Sequence, residues 1–202
     1  NYNDNIYLPL TLMVYPTVPS YHRDEAALEL LADMMGSGNN SVFYKNFVKP
    51  EKAIEASINY NGGELAGEFQ IQVVAYPSMG FADLPKDFNE TEKLIHSSID
   101  EFEKSGITDD ALQRSKAKME SNIISGIETT FGKASYLSNW QLFAGKTMNL
   151  SDELNRYSSV TKEDIIRVFG KYIKDKHAAI VNVYPKDPES KDSVKSVNPY
   201  AN

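Results

Sequence analysis

The chain has 202 residues and no cysteine, so a single domain is expected and disulfides and thiolate metal sites are excluded. A hydrophobic fraction of 41% is enough for a real core, and a net charge of −7 argues against nucleic acid, whose phosphates a basic face would have to neutralise. No apolar run approaches the roughly 18 residues that span a bilayer, so no membrane span is expected.

The chain opens without Met or a visible signal peptide on "NYNDNIYLPL" and ends on the polar "KDPESKDSVKSVNPYAN". These ends read as those of a segment of something longer, with a domain over residues 1–186 and a linker-like tail over 187–202. Residues 7–16 alternate, placing Leu8, Leu10, Leu12 and Val14 on one face of a strand, and Pro9 argues for an edge position because it cannot donate to a ladder. Residues 24–35 carry Ala27, Leu28, Leu31, Met34 and Met35 at helical spacing. Asp24 and Glu25 suit the start of that helix, and Gly36 or Gly38 its end.

A short helix over 41–48 ends at Pro50. Two alternating runs follow, with Ile54, Ala56, Ile58 and Tyr60 on one face of the first and Phe69, Ile71, Val73 and Ala75 on one face of the second. The turn-rich "NGGELAG" between them predicts a hairpin. From residue 88 the spacing is helical. Gly106 is a stop, Thr108 an N-cap, two helices are expected over 131–144 and 150–158, and Thr161 with Asp164 forms a capping box opening another. "HAAIVNVYP" reads as the last strand. The order β-α-α-β-β-α-α-α-α-α-β predicts an α+β fold, an antiparallel sheet with helices packed on one face.

Chemical motifs are sparse. "GSGNNS" lacks the Gly-Lys pair of a phosphate loop and follows a helix, so it reads as a helix corner. His22, His96 and His177 lie too far apart in sequence to form a single-helix metal pair, and no G-x-S-x-G nucleophile elbow is present. The segment His22-Arg-Asp-Glu25-Ala26 misses H-x-x-E-H by one histidine.

Three blocks in order nevertheless resemble the insulinase/pitrilysin family of inverted-motif zinc peptidases. They are "HRDEAALELLADMMGSGNNSVFYKNFVKPEKAIEA", "SGITDDALQRSKAKMESNIISGIETTFGKASYLS" and "SSVTKEDIIRVFGKYIKDKHAAIVNVYP", and the resemblance covers about residues 5 to 186. It implies one of the repeated α+β domains that enclose a peptide-degrading chamber. In such proteins one domain carries H-x-x-E-H, whose zinc activates water with the motif Glu as general base. Here the corresponding helix, "AALELLADMM", has no His, so no cofactor is expected in this segment and zinc is expected in the catalytic domain of the parent.

A partner domain in the family supplies an Arg and a Tyr seven residues apart to stabilise the oxyanion. Matching "SVFYKNFVKPEKAIEA" puts Val48 and Glu55 at those positions, and a one-residue slip gives Lys49 and Ala56, which does not restore the pair. The resemblance therefore implies a non-catalytic, C-terminal-type domain of a zinc metalloendopeptidase. Tyr44, Lys45 and Lys49 are candidate substrate or domain contacts. The implied partners are other domains of the same parent chain or a homologous zinc-bearing subunit, together with a peptide substrate, which the strand over 7–16 could pair with as an edge. A scaffold or binding subunit from an inactive homologue is the alternative. An extracytoplasmic bacterial location fits the missing cysteines.

Overall fold

A computed structural model describes residues 2–4, 6–76, 88–147 and 149–185; the tail expected over 187–202 lies outside the described residues. In chain order the elements are β1 (Tyr2–Asp4), β2 (Leu10–Thr17), α1 (Glu25–Gly36), a π-helical turn (Tyr44–Val48), β3 (Ala53–Gly62) and β4 (Gly67–Ala75). They continue with α2 (Asn89–Ser105), α3 (Asp109–Gly126), α4 (Thr130–Phe143), α5 (Leu150–Ser158), α6 (Lys162–Tyr172) and β5 (Ala179–Pro185). The sheet order is β1-β5-β2-β4-β3; its last four strands pair antiparallel, and the three-residue β1 adds to β5 in parallel. The α+β architecture read from the sequence is the one observed.

Local signals place the helix ends. Thr108 Oγ1 accepts from Ala111 N at 3.1 Å, and Gly106 takes a φ of 71° that ends α2. Thr161 and Asp164 form the reciprocal capping box, with the Asp164 amide donating to Thr161 Oγ1 at 3.2 Å and the Thr161 amide to Asp164 Oδ2 at 3.1 Å. The second helix is short and wound as a π-turn, with the Lys49 amide reaching back to the Tyr44 carbonyl at 2.9 Å. Phe43 and Phe47 stack at 5.5 Å between ring centroids on its inner side, and Asn46 tethers it to Ser98 of α2 at 3.0 Å.

The core lies between one sheet face and α1. Ala56, Ile58 and Tyr60 of β3 and Phe69, Ile71 and Val73 of β4 are buried, as their alternation predicts. A register shift between Ala53 and Glu55 breaks the alternation at the start of β3, so Ala53 is buried and Ile54 is turned out. Helix α1 is covered nearly all round: Leu28, Leu30, Leu31 and Met35 have no exposed surface, because β3 lies on one side and α3, α5 and α6 pack on the others.

One expectation about the first long strand is corrected. It is not an edge: β2 runs between β4 and β5, and Pro9 sits just before it, its carbonyl accepting from Ala75 N at 3.0 Å. Pro16 is tolerated inside β2 because β5 pairs only with Leu10–Val14. Leu10, Leu12 and Val14 do share a face, but it is the half-exposed one; the core side of β2 is Thr11, Met13 and Tyr15.

Gly36 and Gly38 divide the work of the corner after α1. Gly38 has a φ of 76°, whereas Gly36 is needed for space: a Cβ there would stand 2.9 Å from Ile58 Cβ. Helix propensity alone would make Gly36→Ala stabilising by about 1 kcal/mol. Because a methyl must push β3 away, the expected outcome is a loss of about 1–3 kcal/mol in urea denaturation, and a gain would refute the close-packing account.

Candidate functional site

The helix whose counterpart in active relatives would carry zinc is α1. Its middle is apolar, and its first two turns carry Asp24, Glu25 and Glu29 into the interior. Asp24, at the N-cap, is fully buried but makes no cap hydrogen bond. It instead accepts from Arg167 at 2.7 Å, Lys171 at 3.0 Å and the Tyr172 hydroxyl at 2.7 Å, all on α6. Burial alone would raise its carboxyl pKa; the hydrogen bonds from Tyr172, Arg167 and Lys171 outweigh this and hold it far below the usual carboxylate range. The Asp24 amide is satisfied by His22 Nδ1 at 3.0 Å, which gives that histidine a local structural role.

Glu25 accepts from the Tyr21 amide at 2.6 Å and pairs with Arg156 of α5. The same guanidinium reaches Glu153 at 2.9 Å and lies over the Tyr21 ring at 4.5 Å. Glu153 also accepts from the Trp140 indole of α4 at 3.2 Å, and Glu29 accepts from the Tyr157 hydroxyl at 2.6 Å. Burial raises the pKa of Glu25 and Glu29.

These residues do not fit a zinc ion. The carboxylates are already engaged by a guanidinium and by phenol, indole and backbone donors. α1 carries no histidine, and among the described residues no group of three or more His, Cys, Asp or Glu side chains is arranged to hold a metal. The sequence reading treated Asp24 and Glu25 as helix-dipole partners and passed over Glu29, Glu153 and Arg156. The available signal was Glu29 itself, a carboxylate inside an otherwise apolar helical run.

Val48 and Glu55, the residues that the resemblance matched to the family's Arg and Tyr, lie on the π-turn and β3. Val48 closes the turn and packs partly buried against the core. Glu55 is exposed on β3 opposite Val74, in a row that continues across the sheet through Leu10 to Val183. Valine donates no hydrogen bond and a carboxylate only accepts, so neither side chain can steady a developing oxyanion. Tyr44 is half-buried, while Lys45 and Lys49 are exposed at the same corner.

The sheet face turned away from α1 is divided. On β5 and β2 it presents Val181, Val183, Leu10, Leu12 and Val14, joined by Val74 of β4; these aliphatics are half-exposed, Val181 at 44%. Towards β3 it becomes polar, with Gln70 and Gln72 of β4 beside Ser57 and Asn59. Soluble surfaces rarely leave such an aliphatic cluster in water, which makes it a candidate contact surface.

Asp24→Asn is expected to cost on the order of 3 kcal/mol, because an amide nitrogen would then face two cations and a phenol inside the protein. The Asp24 carboxyl has a depressed pKa in the folded state. Its stabilisation is therefore complete above the ordinary Asp range near about pH 4 and is lost as the pH falls. Chemical denaturation of both proteins across acid pH tests this: the wild-type advantage should shrink on acidification.

Residues 2–119 match the family described as the peptidase M16 inactive domain. The zinc protease PqqE of Helicobacter pylori is 22% identical over 186 residues, spanning 91% of this chain and 40% of that protein. The chain thus spans about two fifths of the length of this curated relative. A solved protease from Helicobacter pylori superposes with a TM-score of 0.75 at 20% identity, covering 91% of this chain and 42% of the other. The peptidase M16 inactive domain from Pseudomonas fluorescens superposes with a TM-score of 0.72 at 16% identity, covering 92% and 42%. The fold is shared with these structures, and with residues 2–119 matching over more than half of its length, the chain belongs to the peptidase M16 inactive domain family.

Proposed function

We propose that this domain is the non-catalytic part of a zinc metalloendopeptidase. It packs against the zinc-bearing domain of the same parent chain and forms part of the wall of the peptide-degrading chamber. The observation that carries this reading is α1. In a family of zinc peptidases it has no histidine, and its carboxylates are already engaged, Asp24 by Arg167 and Lys171, Glu25 by Arg156 and Glu29 by the Tyr157 hydroxyl. Zinc then belongs to the other domain, a reading supported by the Helicobacter pylori relative, a zinc protease of more than twice this length.

The divided sheet face fits this role. Its aliphatic half, from Val181 to Val74, is the surface a neighbouring domain would cover, and its polar half around Gln70, Gln72 and Asn59 suits a wet chamber wall. Contact with extended peptide passes from residues 7–16 to β3, the strand that ends the sheet order. Tyr44, Lys45, Lys49 and Glu55 lie at or beside the corner that leads into it, where they would meet substrate or the facing domain.

The chain by itself is expected to bind no stoichiometric zinc and to cleave no peptide. One tightly bound equivalent in metal analysis, lost with activity on chelation, would overturn the reading. The docking role is tested by mixing the chain with the separately expressed remainder of its parent. Association is expected for the wild type, and a loss of at least about tenfold in affinity for Leu12→Glu or Val181→Glu, since each places a charge in an apolar contact. Unchanged affinity for both variants would remove the sheet face from the interface. A remainder without H-x-x-E-H would instead favour a scaffold.

A further inference from the structure

Glu29 lies in the second turn of α1, between the sheet and α5. Three carboxylates, Glu25, Glu29 and Glu153, meet one guanidinium, that of Arg156, which bonds to Glu25 and Glu153 but not to Glu29. If all three were ionised the cluster would carry two uncompensated negative charges, with Glu25 and Glu153 buried and Glu29 half-buried beside them. Glu29 has the phenol of Tyr157 at 2.6 Å in place of a cation.

We propose that Glu29 is held protonated, and that this proton latches α5, and through it α4, onto α1. The link to α4 is Trp140. It is the one residue of that helix that is buried, and its indole donates to Glu153, one turn before Tyr157. Most of the rest of α4 is turned outward, with Phe131 at 83% and Leu142 at 64% exposed; only Tyr136, against the Trp140 ring, also packs on the core, so α4 depends on these two aromatics more than on a broad packed face.

No other group relieves the charge. Tyr21 beneath the guanidinium, Tyr60 from β3, Tyr136 from α4 and Tyr172 from α6 are phenols kept neutral by burial. Asp33, the next acidic residue on α1, already has Lys118 of α3. Arg167 and Lys171 of α6 are committed to Asp24. Burial pushes the Glu29 carboxyl up to about 7; the Tyr157 hydrogen bond opposes the rise, and Glu25 adds to it. A carboxyl raised in this way stabilises the fold fully below the ordinary Glu range near about pH 4, and the contribution is lost as the pH rises through about 7. This is opposite in sign to Asp24.

Trp140 is the single tryptophan of the sequence, so fluorescence of the 202-residue chain from about pH 5 to about pH 9 reads the latch directly. A red-shifting transition with a midpoint near neutrality is expected. Above it, amide exchange in α4 and α5 should accelerate once the intrinsic pH dependence of exchange is removed. Glu29→Gln, which keeps the shape but cannot ionise, should abolish the transition and retain the low-pH spectrum. Tyr157→Phe should move the midpoint to higher pH, because the lost hydroxyl favoured the charged carboxylate.

Absence of a transition in the wild type would overturn the proposal, as would an unchanged midpoint in Glu29→Gln, which would assign the titration to another group. If Glu29→Gln does not fold, the carboxyl carbon resonance of wild-type Glu29 decides. A midpoint near neutrality supports the latch, and one at the ordinary glutamate value near about pH 4.3 overturns it.

Discussion

Helix α1 is buried on nearly every side, and its first two turns bring three carboxylates into that interior. The fold depends on how those charges are met. Asp24 draws Arg167, Lys171 and Tyr172 from α6, while Glu25 and Glu29 draw Arg156 and Tyr157 from α5. Apolar contacts from Leu28, Leu30, Leu31 and Met35 supply most of the burial and are indifferent to direction. The ion pairs set which turn of α5 and α6 faces which turn of α1, since a misplaced helix would leave a charge unpaired in the core.

The same arrangement separates this domain from its catalytic relatives. A zinc site needs neutral imidazoles with an open coordination position, facing a cavity that admits substrate and water. Here the helix interior is filled by side chains, and the carboxylates that could ligate a metal accept from fixed donors. Val48 and Glu55 offer no hydrogen-bond donor either, one being apolar and the other acceptor-only. The domain is built to hold position, and its open sheet face, aliphatic towards β5 and polar towards β3, suits a surface against which another domain closes.

Two carboxylates five residues apart respond to pH in opposite directions for one reason. Asp24 has three donors that outweigh its burial, while Glu29 has one, so burial prevails. Acid should weaken the α6 attachment and base the α5 attachment, leaving the tightest assembly of the helical layer between them.

Much of the architecture was legible locally. The hairpin, the caps at Thr108 and Thr161, the stop at Gly106, the alternation of β4 and that of β3 from Ala56 onward rest on interactions within a few residues and appeared where the sequence placed them; Ile54, placed with Ala56, is turned out by the register shift. Family membership was legible too, because three ordered blocks and a helix without histidine are properties of the string. The strand order was not. Pro9 suggested an edge, yet β2 is central, because pairing with β5 depends on chain more than 160 residues away. The aliphatic series Leu10, Leu12 and Val14 marked a face but not which side the helices would cover. Glu29 with Tyr157, and Glu25 with Arg156, are 128 and 131 residues apart, so no local pattern could pair them. Sequence alone determined the elements and the absence of the family's catalytic groups from α1. Tertiary structure decided which sheet face stays open and which buried charges share a cation, because both depend on contacts that exist only once distant segments are packed together.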